Sequence, residues 1–206
     1  MSARVLRIFS ALAVLALITA PADGQQRGGG GGGGGRGRGR GPIVVMTLTS
    51  SAFADGARIP DKYAQSGHEL SPPLSWSSAP DSTASFVLIV HDLDVAIGNG
   101  TDDMLHWMLW NIPGAATSLA DGIPALSQLP DGTRQISATG PYYRAPAAPA
   151  SGPPHHYAFE LYALDITLDV PAVGAAPPAT RASVIAAMAS HVRAKATLVG
   201  LYRRGP

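Results

Sequence analysis

The sequence predicts a mostly β domain, a β-sandwich with a peripheral helix. Three observations point there. Short runs rich in β-branched and aromatic residues recur through the second half of the chain, and such residues suit a pleated, half-buried surface. Their connections are crowded with glycine and proline, of which the 206 residues hold 24 and 18. Only one segment, late in the chain, keeps an apolar period near 3.6. Separate strands with one late helix favour sheet-on-sheet packing over an alternating α/β fold.

The first 24 residues read as a secretory signal peptide. Arg4 and Arg7 precede the apolar run Ile8 to Ile18, and Ala20-Pro21-Ala22 supplies the small residues of a cleavage site. That run is shorter than the roughly 20 residues of a spanning helix. The expected location is therefore periplasmic or secreted. Residues 25–42 follow as a Gly/Arg-rich tether, with Gly28 to Gly35 unbroken and Arg36, Arg38 and Arg40 alternating with glycine. Such a run has nothing to bury and much backbone entropy to lose, so disorder is expected. Its arginines suit at most peripheral contact with an anionic envelope surface, weakened by salt.

Residues 43–206 suffice for one domain with its own core. From Ile43 onward nine Lys and Arg stand against thirteen Asp and Glu, a balance of 9 − 13 = −4. A nucleic-acid-binding core is excluded on that charge. The chain has no cysteine, so its stability rests on ordinary packing rather than disulfides.

The elements follow in order. Ile43 to Ser50 reads as a first strand, and Ser71-Pro72-Pro73-Leu74-Ser75-Trp76 as an ordered loop whose Trp plugs the core. Ser85 to Asp92 is a strand buried on both faces, ending in His91-Asp92-Leu93-Asp94. Leu105 to Ile112 is another strand, with His106 sharing a face with Met108 and Trp110. Gly140 to Pro154 is a proline-stiffened loop, of the kind that shapes binding sites. It leads into the strand His155 to Asp165, where His155, Tyr157, Phe159, Leu161 and Ala163 share one face. Thr180 to about Lys195 is the helix, with Val184, Ile185, Met188 and Val192 on its apolar side, and Ala196 to Tyr202 returns as a strand.

The candidate ligand-binding residues are Asp92, Asp94, His106, His155 and Tyr157, each placed at a strand end. Two imidazoles, two carboxylates and a phenol in an apolar wall make a site for one compact polar ligand. Imidazolium and phenol donate to an anion, while Asp orients an imidazole or accepts from an ammonium. No HExxH or cysteine-based spacing supports a zinc site, and no G-x-S-x-G elbow supports a hydrolase. The expectation is a binding protein without cofactor, metal or catalytic residues. Because a histidine donates from both nitrogens only when charged, anion binding should tighten below about pH 6.5.

These segments resemble the phosphatidylethanolamine-binding protein family, in its bacterial Raf kinase inhibitor-like (YbhB/YbcL) branch. The resemblance rests on Ser71 to Trp76, Asp92-Leu93-Asp94, His106-Trp107 through Asn111-Ile112-Pro113, Gly152-Pro153-Pro154-His155-His156-Tyr157 and Leu161 to Asp165, in order over about residues 43 to 204. It implies a Greek-key β-sandwich with one or two peripheral helices and an anion pocket for phosphate or phosphorylethanolamine-like groups. By the same resemblance Asp92 and Asp94 match the two acids of the family's Asp-Pro-Asp segment, His106 and His155 its pocket histidines, and Tyr157 the neighbouring tyrosine. Leu93 and Ala96 stand where the family has proline, which alters that wall of the pocket. His156 points to the opposite strand face and reads as a structural contact. The resemblance also implies an alternative role, inhibition of a secreted protease or an envelope protein through the surface around the pocket.

Overall fold

The computed structural model describes residues 45–98 and 100–206. The signal-peptide and tether assignments, residues 43 and 44 of the first expected strand, and Asn99 lie outside the described residues.

Eight strands form two antiparallel sheets. β1 (Thr47–Thr49), β2 (Leu74–Ser77) and β5 (Ser118–Leu119) make a three-stranded sheet in the order β1-β2-β5. β3 (Ser85–Ile97), β4 (Asp102–Pro113), β6 (Arg134–Ile136), β7 (His155–Leu164) and β8 (Val192–Tyr202) make the second, ordered β6-β4-β3-β7-β8. Leu48, Leu74 and Trp76 from the first sheet pack with Phe86, Leu88, Val90, Trp107, Phe159 and Leu161 from the second in one buried cluster. That shared core is the filling of a sandwich, as the sequence predicts.

The other face of the five-stranded sheet is covered by α1 (Pro177–Met188), whose Val184 and Met188 pack on Val87, Ile89, Leu105, Met108 and Trp110. The central strands thus bury both faces, which explains their nearly unbroken apolar sequences. A single 3-10 turn, Asp61–Tyr63, is the only other helical element among the described residues.

Several boundaries differ from expectation, each for a local reason. Of the described residues 45–50, only Thr47–Thr49 pairs as a strand. Ser71 to Trp76 is not all loop: its prolines end at Pro73, and Leu74–Ser77 pairs on both edges, with Trp76 5% exposed in the core. β3 does not stop at Asp92 but runs to Ile97, since the acidic side chains have histidine partners and need not leave the sheet. The helix stops at Met188, not Lys195. The Ala189 N–H closes the last turn on Ala186, and Ser190 takes a left-handed φ of 68°, after which Val192 opens β8. Ile185 is 48% exposed, because the helix buries the narrow stripe Thr180, Val184 and Met188.

β4 carries the largest surprise. Val90 pairs with Trp107 but His91 with Leu105, so His106 is an extra residue. Phe86 pairs with Ile112 but Leu88 with Leu109, and Asn111, with φ 59°, adds another irregularity. Such bulges re-aim side chains. His106 consequently does not share a face with Met108 and Trp110, as simple alternation predicts. Its ring meets Tyr157 edge-on, on the sandwich side, while Met108 and Trp110 pack toward α1.

Candidate functional site

β3 and β7 pair in a register that sets Asp92 opposite Tyr157, and β7 and β8 set His155 opposite Tyr202. Cross-strand partners share a face, so Asp92, His155 and Tyr157 converge at one end of the sandwich. His106 joins them through its bulge, its ring 5.0 Å from that of Tyr157 at 87°. Four of the five expected residues therefore lie together.

Asp92 is 2% exposed. Its Oδ2 accepts from His155 Nδ1 at 2.8 Å and its Oδ1 from the Asp94 N–H at 3.0 Å. His106, 4% exposed, donates Nδ1–H to the Arg144 carbonyl at 2.6 Å, and that carbonyl can only accept. In both rings Nδ1 is committed as donor, so the neutral tautomer leaves a lone pair at Nε2. Neither Nε2 has a protein hydrogen bond among the described residues. Each ring thus offers an acceptor when neutral and a donor when charged.

Burial disfavours the charged form of His106, and although the Arg144 carbonyl and Asp92 oppose this, its pKa lies below the ordinary 6.5. Burial, reinforced by the Asp92 carboxylate, likewise drives Tyr157 upward, so its phenol stays protonated. The Tyr157 hydroxyl accepts from the Ala147 N–H at 3.3 Å, and its ring is 1% exposed. Tyr157 therefore forms the floor of the site and ties down the proline-rich loop.

Asp94 stands apart. Its Oδ2 accepts both the backbone N–H of His156 at 2.6 Å and the His156 Nδ1 at 2.9 Å. Burial opposes its ionisation, but the His156 bonds outweigh it and hold the carboxyl below the usual range. Asp94 is thus a rim residue tied to His156.

Alternation sends His91 to the opposite face from Asp92. There its Nδ1 bonds Asp103, its Nε2 lies 3.4 Å from Glu160, and Arg181 reaches Asp103 at 2.7 Å. A cavity of about 440 Å³ is also on that side, between β4 and α1, and does not coincide with the histidine cluster. Among the described residues no three His, Cys, Asp or Glu side chains gather to hold a metal ion.

Sequence reasoning missed the backbone parts of the site, the Arg144 carbonyl and the Ala147 N–H, because a main-chain contact leaves no residue-type signature. The loop prolines were the one available signal. They fix a loop further stapled by Gln65 N–H to the Pro146 carbonyl at 3.0 Å and Arg144 N–H to the His106 carbonyl at 2.8 Å.

Residues 49–203 match the family model described as phosphatidylethanolamine-binding protein. The chain belongs to the phosphatidylethanolamine-binding protein family. A UPF0098 protein of Methanothermobacter thermautotrophicus is 41% identical over 162 residues, covering 78% of this chain and 100% of the relative. LppC of Mycobacterium tuberculosis, whose name suggests a lipoprotein, is 35% identical over 76% of this chain and 72% of its own length. Among solved structures, CT736 of Chlamydia trachomatis, described as a candidate phosphatidylethanolamine-binding protein homologue, shares 33% identity with a TM-score of 0.65, over 78% of this chain and 99% of its own. YbcL of Escherichia coli, at 24% identity and TM-score 0.63 over 77% and 98%, shares the fold. The mostly β sandwich of this chain is accordingly the fold of the family.

Proposed function

We propose that this phosphatidylethanolamine-binding protein family member is an exported protein that holds a small anion, phosphate or a phospholipid head group such as phosphorylethanolamine, between His106 and His155. The observation that carries the reading is the commitment of both Nδ1 atoms to acceptors, Asp92 and the Arg144 carbonyl, which leaves two Nε2 positions for one ligand. Protonated, they are charge-assisted donors suited to a phosphoryl oxygen. Asp94, at the rim, is the acceptor for an ammonium group on the same ligand. The role is binding without turnover, and Tyr157 acts by positioning His106 and the loop. Export rests on the charged and apolar pattern of residues 1–24 and on the lipoprotein name of LppC.

The test is thermal shift and calorimetry of the full chain with phosphate, phosphorylethanolamine and zinc, repeated on His155→Ala. A ligand that binds the native state raises its apparent stability. Stabilisation by the phosphate compounds that vanishes in His155→Ala supports the reading. A response to zinc alone would mean that the rings act as neutral ligands, and no response at all would move the function to a protein partner.

A further inference from the structure

The folded domain is acidic, yet two of its exposed arginines stand side by side at the end of β8. Lys62, Arg181, Arg193 and Lys195 each face a carboxylate, at Asp121, Asp103, Asp165 and Glu160. Arg134 donates to the Val170 carbonyl at 2.6 Å, and Arg144, on the loop beside His106, keeps a buried Nε without a hydrogen-bond partner among the described residues. Arg203 and Arg204 are exposed, and among the described residues neither has a carboxylate partner.

These two arginines and Arg58 line a cavity of about 250 Å³ together with Pro154 and Tyr202. The cavity is built rather than incidental. Arg58 stacks over the Tyr202 ring at 5.4 Å and is fixed by Asp61 at 2.7 Å. Arg203 donates to the Gly152 carbonyl at 3.0 Å, and the Arg204 N–H to the Ala148 carbonyl at 3.1 Å. Both anchors hold the strand end to the loop that precedes His155. Asp61 offsets Arg58, so two guanidinium charges remain with most of their N–H donors unused.

The location matters. Tyr202 is the cross-strand partner of His155, and Pro154 precedes it in sequence, so the cavity lies one strand away from the histidine site. Guanidinium forks match the geometry of phosphate oxygens and bind them in pairs.

We propose that Arg203 and Arg204, with Arg58, form a second anion subsite that takes a phosphate-type group beside the His106–His155 pocket. Ligands carrying two such groups, free or on a lipid head group, then occupy both. The second part rests on the function proposed above; the existence of the arginine subsite does not.

The test is a titration of the full chain followed by amide NMR, first with inorganic phosphate and then with pyrophosphate, at constant ionic strength. Two separate sets of shifted resonances are expected, one around residues 58 and 201–204 and one around 92, 106 and 155. The double variant Arg203→Ala/Arg204→Ala should lose the first set and keep the second, and His155→Ala should do the reverse. Pyrophosphate should bind at least about tenfold more tightly than phosphate, and that gain should disappear in the double variant. Vesicles of phosphatidylcholine with and without phosphatidylglycerol separate a lipid source from a soluble one. Shifts confined to the histidine set would overturn the subsite alone. Shifts confined to the arginine set would overturn the histidine reading and the two-site ligand, and equal affinity for the two anions would overturn the joint occupancy.

Discussion

Proton uptake is the most direct consequence of the anion site proposed at the two histidines. Both rings use Nδ1–H toward groups that accept, Asp92 and the Arg144 carbonyl, so a bound anion at Nε2 requires each neutral ring to gain a proton. Each proton taken up changes affinity about tenfold per pH unit, or ~1.4 kcal/mol. His106 is the clearer case, since its pKa in the free protein lies below 6.5 and the ring is mostly neutral at pH 6.5 and above. Binding well above pH 6.5 should therefore take up close to one proton at His106, and affinity should rise as pH falls until the free ring is itself charged. Sulfate is the suitable probe because its charge is constant over this range. Calorimetry in two buffers of different ionisation enthalpy counts the protons directly. In His106→Gln, which keeps a donor but cannot titrate, the slope of log affinity against pH should fall by about one unit. Affinity independent of pH between 6.5 and about 8.5, or an unchanged slope in His106→Gln, would refute the tautomer argument.

Other predictions concern stability. Asn111 donates to the Leu168 carbonyl at 2.9 Å and accepts its N–H at 2.7 Å, so Asn111→Ala should cost about 1–3 kcal/mol in urea unfolding. A Cβ at Gly200 would come within 2.5 Å of Ile59 and 2.9 Å of Phe53, so Gly200→Ala should destabilise by about 1–3 kcal/mol through overpacking. Tyr157→Phe removes the acceptor of the Ala147 N–H, and hydrogen exchange at Ala147 should accelerate while the fold persists. Acid should act in two stages. His106, with its lowered pKa, contributes stability that is present above 6.5 and declines as pH falls below it. Asp103 resists burial through His91 and Arg181, and Glu160 through Lys195 and Tyr162, so their contributions are present above 3.8 and 4.5 and are lost as pH falls through their depressed pKa values. Melting temperatures from pH 8 to 2 should show both declines, the first absent in His106→Gln.

The sequence made the sandwich legible because its central strands announce themselves by composition. Ser85 to Val90 and the Tyr157 to Leu164 run hold few polar residues, and both are buried where expected. Asp92, His155 and Tyr157 could be placed together by alternation and strand ends alone. His106 could not, since alternation assumes an unbroken register and β4 breaks it at that residue. Asp94 reads like Asp92 in sequence, but the neighbouring His156 captures it. The helix ran long on paper because Val192 fits its period equally well as it fits the start of β8, and only the left-handed turn at Ser190 decides between them.

Strike His106 and Asn111 from β4 and what remains is a perfect alternation: Leu105 toward the helix, Trp107 toward the sandwich, Met108 toward the helix, Leu109 back, Trp110 toward the helix, Ile112 back. The two polar residues stand outside that alternation, and each bonds a loop instead: His106 the Arg144 carbonyl and Asn111 the backbone of Leu168. The apolar layers and the proposed pocket histidine thus share one strand through different residues, and a laboratory library confined to position 106 should change anion affinity while leaving both hydrophobic clusters in place.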